Sequence, residues 1–269
     1  MTEDVHGMEE TLGVVTFLDV LGWKGIWRRR SDAIGDLRNV VAGMRRHAQQ
    51  LTRGLAPSAQ GPSAQTGTPM ETKVVIISDT IVLLTSADRQ TATQGIEIHG
   101  AICGRALPAS LEGGIPLRGA TAYGEYRIDR QESTFVGRAI DEAAEWYEQA
   151  DWIGVFMTPS AAYSFAEDGS SWWRQYMPPV KEGVQWPTYC VQWPEEVDVG
   201  EGNIAEVKRH MRQMSPIVPK LVSKFTNTIK FVEKMNEEGL KRYREKSEAL
   251  RQKQENRVSE QTGGSRSAG

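Results

Sequence analysis

The stretch "KVVIISDTIVLLTS", residues 73–86, decides the fold. Two apolar runs rich in Val and Ile flank Ser78-Asp79-Thr80, so the segment reads as two strands of a hairpin with an acidic tip. Upstream, "GVVTFLDVLG" (13–22) reads as another strand, and "SDAIGDLRNVVAGMRRHAQQL" (31–51) as a helix capped by Ser31, with Ile34, Leu37, Val41, Met44, Ala48 and Leu51 along one face. The polar, Pro/Gly/Ser-rich "APSAQGPSAQTGTP" (56–69) separates that helix from the hairpin. Downstream come a helix from about Asp88 to Leu107, a strand in "IPLRGATAYGEYRI" (115–128), a helix in "GRAIDEAAEWYEQA" (137–150) and a strand in "WIGVFMTP" (152–159). The order β-α-β-β-α-β, continued by α-β, predicts an α+β protein with a ferredoxin-like βαββαβ sheet.

In that strand order the end of the first strand lies beside the hairpin, so Asp19 and Asp79 converge although they are distant in sequence. Asp79 taken singly reads as an ordinary turn residue. Asp19 does not, because an unpartnered carboxylate in an apolar strand costs several kcal/mol, in order of magnitude. Converging carboxylates repel unless a cation sits between them, and hard oxygen ligands suit Mg²⁺ or Mn²⁺. The Gly22-Trp23-Lys24 turn that follows predicts a phosphate cradle: Gly22 for close backbone approach, the amides of Gly22, Trp23 and Lys24 as donors, and charge from Lys24. Arg28, Arg29 and Arg30 could add charge to the same cradle, but at least two of them are expected on a solvated basic face.

Composition narrows the partners. With 32 basic and 35 acidic side chains in 269 residues, the formal net charge of −3 gives no global field for nucleic acid or an anionic membrane. No apolar run reaches the roughly 20 residues of a membrane span, and the N-terminus lacks the pattern of a signal peptide. Cys103 and Cys190 match no metal-ligand spacing and predict reduced, buried thiols in a cytoplasmic protein, and the scattered His6, His47, His99 and His210 give no support to a zinc site. The expected organisation is a catalytic domain over 12–195, a C-terminal helical extension over 203–255 and a disordered tail over 256–269. In the extension, Val218, Leu221, Val222, Phe225, Ile229 and Val232 share a helical face, expected to pack on the chain's own core, with a dimer contact as the alternative.

Four blocks carry a family resemblance. "FLDVLGWKG" (17–25) resembles the first metal-binding strand of class III nucleotide cyclases, and "VIISDTIVLL" (75–84) the hairpin bearing their second metal aspartate. "LRGATAYGEY" (117–126) is similar to the family's Arg-x-Gly strand, and "FVGRAIDEAAEWYEQADWIGVFMTPSA" (135–161) to its Gly-x-x-Val-Asn-x-Ala helix. The resemblance runs in order over about residues 12–162 and implies a βαββαβ core of the class III type, a homodimer with composite sites at the subunit interface, and two Mn²⁺ or Mg²⁺ ions per site held by Asp19, Asp79 and the backbone carbonyl of Val20.

The departures are specific. Val75 occupies the position of the base-reading Lys of purine cyclases, and Asp141 and Glu145 stand where the helix carries its Asn and its transition-state Arg. They point away from an ordinary adenylate or guanylate cyclase. Among class III enzymes the chain most resembles the pyrimidine cyclases of the bacterial Pycsar anti-phage system. That likeness implies conversion of UTP (or CTP) to the 3′,5′-cyclic nucleotide plus pyrophosphate, as a second messenger for a separate effector. Arg138 or Arg118, from the partner subunit, is then the candidate for the missing helix arginine. Tyr123 or Trp23 is the candidate wall of a small base pocket, Thr134 a base contact, and Asp141 a substrate contact. Two alternatives stay open: a catalytically silent cyclase-like domain that binds nucleotide or a partner, and a purine cyclase.

Overall fold

The computed structural model describes residues 9–24, 26, 30–54, 70–129, 134–167, 170, 172–181, 186–197, 201–214 and 219–263. One mixed sheet organises them. Its strands are β1 (Glu9–Val20), β2 (Thr72–Ile77), β3 (Thr80–Ser86), β4 (Leu117–Asp129), β5 (Thr134–Val136), β6 (Gly154–Met157), β7 (Trp173–Tyr176) and β8 (Thr188–Val191), in the spatial order β2-β3-β1-β4-β6-β8-β7, with β5 paired to β4. The helices are α1 (Ala33–Gly54), α2 (Ala92–Glu112), α3 (Arg138–Gln149), α4 (Pro159–Ser164), α5 (Glu201–Gln213) and α6 (Pro219–Gly263).

The antiparallel order β2-β3-β1-β4, with α1 and α2 as the crossovers, is the ferredoxin-like α+β arrangement expected from the sequence. A βαβ unit through α3 then adds β6 parallel to β4, and β8 and β7 extend that side as an antiparallel pair.

Side-chain alternation on β1 divides the molecule into two layers. Val14, Thr16, Leu18 and Val20 face α1 and α2, where they join a core that includes Leu37, Val41, Met44, Ile96, Ile102 and Leu107. Val15 and Phe17 face α3, which seals that side with Ala139, Ile140 and Ala143. Under α2 runs a fully buried polar chain. Thr72 bonds Thr85 (2.6 Å), Thr85 bonds His99 Nε2 (2.9 Å), His99 Nδ1 bonds Thr16 (2.7 Å) and Thr16 bonds Thr121 (2.7 Å). Burial pushes the His99 imidazole down to a pKa of about 3, so the ring is neutral and each nitrogen has a hydroxyl partner.

Several local expectations are corrected. Helix α1 begins at Ala33, and its first-turn carbonyl is that of Asp32, which accepts the Asp36 N–H at 3.0 Å; Ser31 lies outside the helix. Ile34 is 50% exposed, and Val40 takes the place expected for it in the core. Helix α2 continues past Leu107 to Glu112 through Pro108. On α6 the buried face is Phe225, Thr228, Phe231, Val232 and Met235, while Val222 is 52% exposed and Val218 lies outside the described residues. Phe231 packs edge-on to Trp152 at 4.4 Å and to Tyr176 at 4.9 Å between ring centroids, so α6 packs on the chain's own core. Val207 and Met211 of α5 belong to the same core as the sheet. Helix α6 extends through residues 256–263 of the expected tail, and 264–269 lie outside the described residues. Cys103 and Cys190 are free and buried, and no described helix is long and apolar enough to cross a membrane.

Candidate active site

Asp19 is the penultimate residue of β1, with its side chain on the α3 face, directly between Thr80 of β3 and Arg118 of β4 in the register. Asp79 occupies the two-residue loop between β2 and β3, immediately before Thr80, where Ser78 takes the left-handed backbone (φ 59°) that reverses the chain. The hairpin therefore delivers Asp79 beside the end of β1. The two carboxylates interact: burial pushes the Asp19 pKa up, Arg118 opposes the rise, and the Asp79 charge adds to it.

Arg118 is the dominant partner of Asp19. Its Nε and Nη2 both donate to Asp19 Oδ2, at 3.0 and 2.9 Å, and its Nη1 donates to the carbonyls of Glu148 and Ala150 at 3.0 and 3.1 Å. The Tyr147 ring lies 5.8 Å from the guanidinium and stacks on Phe17 at 5.9 Å, with Thr80 near its phenol. Burial first, and then the Asp19 charge, hold that phenol's pKa above its ordinary value. Within one chain Arg118 is thus engaged with that chain's own Asp19 rather than placed to reach a second subunit's site.

Lys181 is the residue that sequence reasoning missed. An antiparallel bridge between Ala150 and Val180, with the Lys181 N–H bonded to the Gln149 carbonyl at 2.8 Å, brings this lysine from the segment after β7 into the field of Asp19 and Arg118. Desolvation, then the Arg118 and Lys224 charges, push its pKa down. Among the described residues its ammonium has no ion-pair partner within 4.0 Å.

The turn after Asp19 is built differently from the expected cradle. Val20 accepts the Trp23 N–H at 3.3 Å across Leu21-Gly22, and Gly22 adopts φ 76°. Gly22 is required by a tight turn with a left-handed third residue. The Trp23 amide and the Val20 carbonyl are partners within that turn, although a carbonyl keeps a second lone pair for a cation. Trp23 packs half-buried against the main core and Lys24 is exposed. Arg30 donates to the Gly113 carbonyl (2.7 Å) and to Asp36 (2.6 Å), which commits it to the α1–α2 end; Arg28 and Arg29 lie outside the described residues.

The remaining candidates lie elsewhere in the chain. Tyr123 is opposite Val14, hence on the α2 face of the sheet, and its hydroxyl donates to the Ala87 carbonyl at 3.3 Å. Within one chain it is not a wall beside Asp19. Thr134 pairs with Asp129 at the far end of β4 from Arg118, a span on the order of 35 Å at about 3.3 Å per residue. Arg138 and Asp141 sit in the first turn of α3, exposed, at that same far end. These three residues do not meet Asp19 in one subunit.

Neither a known protein family nor any curated protein matches the chain. The chain bears distant likenesses to solved structures, three of them with the following measures. The catalytic core of a rhodopsin-guanylyl cyclase with converted specificity, in complex with ATPαS, matches at 14% identity over 68% of this chain and 97% of that one, with a TM-score of 0.47. The adenylyl cyclase CyaB from P. aeruginosa matches at 12% identity over 68% and 95%, with a TM-score of 0.47. The guanylyl cyclase Cya2 matches at 10% identity over 69% and 92%, with a TM-score of 0.44. Likenesses this distant leave the chemistry to be read from the residues.

Those residues fit a divalent cation. Asp19 Oδ1 and both oxygens of Asp79 accept no hydrogen bond among the described residues, and burial, with the Asp79 charge adding to it, disfavours the Asp19 carboxylate, which a bound cation would stabilise. The described residues contain no group of three or more His, Cys, Asp or Glu that could hold a metal, so the remaining ligands would be water, phosphate or backbone oxygen.

Proposed function

We propose that the chain is a metal-dependent nucleotide cyclase that converts a pyrimidine nucleoside triphosphate, UTP (or CTP), to its 3′,5′-cyclic monophosphate and pyrophosphate. The observation that carries this reading is the meeting of Asp19 and Asp79 at one end of the sheet, beside Arg118 and Lys181. In the reaction the 3′-oxygen forms a bond to the α-phosphorus, the bond from that phosphorus to the β-bridging oxygen breaks with its electron pair leaving on pyrophosphate, and the hydroxyl proton passes to water. Two Mn²⁺ or Mg²⁺ ions held by Asp19, Asp79 and the Val20 carbonyl would lower the pKa of the attacking hydroxyl and neutralise the leaving oxygens. Arg118 and Lys181 supply positive charge for the triphosphate, and the Gly22 turn fixes where β1 ends relative to it.

Composite sites in a homodimer account for the distance between Asp19 and the Thr134, Arg138 and Asp141 group, which a two-fold partner would contribute. The β2–β3 side of the Asp19 face supports that assembly: Ile77 there is 48% exposed and Val75 is only partly covered. Pyrimidine choice rests on Val75, Asp141 and Glu145 standing where purine cyclases carry Lys, Asn and Arg. The role in anti-phage defence, through a separate effector, rests on the resemblance to the Pycsar enzymes. A catalytically silent domain is the second reading, favoured by the carboxylates Asp141 and Glu145 on α3.

Incubation with ATP, GTP, CTP or UTP and Mn²⁺, followed by mass spectrometry, tests the proposal. A cyclic pyrimidine nucleotide is expected. A cyclic purine product overturns the specificity, and no product from any triphosphate favours the silent domain.

A further inference from the structure

One side chain of the C-terminal helix lies a short bonded path from Asp19. Lys224 Nζ is 2.7 Å from Asp151 Oδ1, and the two side chains are only 11% and 16% exposed. Ser223 donates to the same oxygen at 3.1 Å, Asn227 donates to the Asp151 carbonyl (2.9 Å) and to its Oδ2 (3.2 Å), and Thr228 accepts the Ile153 N–H at 2.8 Å. Four polar side chains on two adjacent turns of α6 thus grip the chain where α3 ends and β6 begins. The carbonyls of Glu148 and Ala150, next to that grip, are the ones that hold Arg118 Nη1. The rest of the guanidinium lies on Asp19.

The other side of this segment is held by fewer bonds. Asp151 donates its N–H to the Pro179 carbonyl at 2.9 Å, Lys181 donates to Gln149, and Ala150 bridges Val180. Further along α6, Arg242 pairs with Glu195, after which the helix continues to Gly263, about 30 Å at 1.5 Å per residue. A long helix with one end bonded to the site's support and the other extending beyond its last described tether has the form of a lever.

We propose that α6 is a positioning element for the site: through Lys224 and Asp151 it fixes residues 148–151, whose carbonyls fix Arg118 on Asp19, and displacement of α6 releases Arg118 from that carboxylate. The coupling rests on the bonds above; its consequence, opening Asp19 to a cation, rests on the function proposed for the site. Lys224 and Asp151 are positioning residues that act through Arg118 and touch no substrate.

The test follows the Arg118 guanidinium directly. In the full-length, nitrogen-15-labelled protein, the Arg118 Nε–H resonance, identified by its loss in Arg118→Lys, reports the pair with Asp19. Lys224→Met is expected to quicken its exchange with water by about 5-fold or more, within the usual range of coupling between sites. Lys224→Arg is expected to restore the wild-type rate. Asp151→Asn, which keeps the side-chain shape, serves as a second variant and is expected to behave as Lys224→Met does. Wild-type exchange in folded Lys224→Met and folded Asp151→Asn overturns the coupling. Mn²⁺ uptake by the same samples separates the two ideas. Quickened exchange in a chain that binds no Mn²⁺ leaves the coupling standing and overturns the site, whereas Mn²⁺ uptake with unchanged exchange overturns the coupling alone.

Discussion

Replacing Arg118 by Met removes the cation that Asp19 faces while keeping most of the aliphatic stem. Two N–H groups on Asp19 and two carbonyl contacts are lost together. Breaking a fully buried ion pair costs about 3–5 kcal/mol. With 12% and 17% of the two side chains exposed, solvent offsets part of that, and we expect about 2–3 kcal/mol at pH 7.5. The loss has a pH signature. Burial already holds the Asp19 pKa above its ordinary value, and removing Arg118, the main opposing cause, raises it further. The folded variant then binds protons more readily than the unfolded chain, so stability falls as pH rises between the unfolded and folded pKa values. Conversely, the part of the cost due to the uncompensated charge is complete above the folded pKa and vanishes as pH falls toward about 4. Urea unfolding of both proteins at pH 7.5 and pH 4.5 measures this. The expected difference shrinks to about 1 kcal/mol at pH 4.5, the residue being the abandoned carbonyl contacts. A cost equal at both pH values, with unchanged m-value, refutes the assignment of Arg118 as the charge partner of Asp19.

Three further outcomes follow from the fold. His99, with a folded pKa of about 3, is protonated only in the unfolded chain between that value and about 6.5, so stability should fall on acidification by about 1.4 kcal/mol per pH unit in this window. In His99→Gln that share of the acid slope disappears; parallel stability curves from pH 7 to pH 4.5 contradict it. Gly22→Ala places a side chain at φ 76° and is expected to cost about 1–2 kcal/mol in urea unfolding, with a smaller cost for Gly22→Asn. Phe231→Ala opens a cavity against Trp152 and Tyr176 and is expected to cost about 3–5 kcal/mol, whereas truncation after Arg244 changes stability by no more than about 0.5 kcal/mol.

What the sequence made legible was local or set by strand order. The hairpin tip, the βαββαβ order and the approach of Asp79 to Asp19 follow from two strands joined by a two-residue turn beside a third. Parity was the information left unused. Cross-strand neighbours share a face, so carrying the register along β4 puts Arg118 with Asp19 and Tyr123 with Val14. That single step puts Asp19 and Tyr123 on opposite faces of the sheet within one chain. Lys181 carried no signal, because one isolated bridge after a short strand brings it into the site. The chain of four threonines around His99 was equally hidden, since its members come from separate strands and only α2 packing closes it. On α6 the apolar pattern alone pointed to a stripe through Val222. The helix instead buries Lys224 and Thr228, whose partners Asp151 and Ile153 no periodicity could supply.

Binding of Mn²⁺ in the presence of UTP, followed by electron paramagnetic resonance of the free ion, tests the meeting of Asp19 and Asp79 most directly. Two ions per site are predicted for the wild type, with a loss of binding of at least about 10-fold in Asp19→Ala and in Asp79→Ala while both variants remain folded. Wild-type Mn²⁺ uptake by either folded variant would contradict the account.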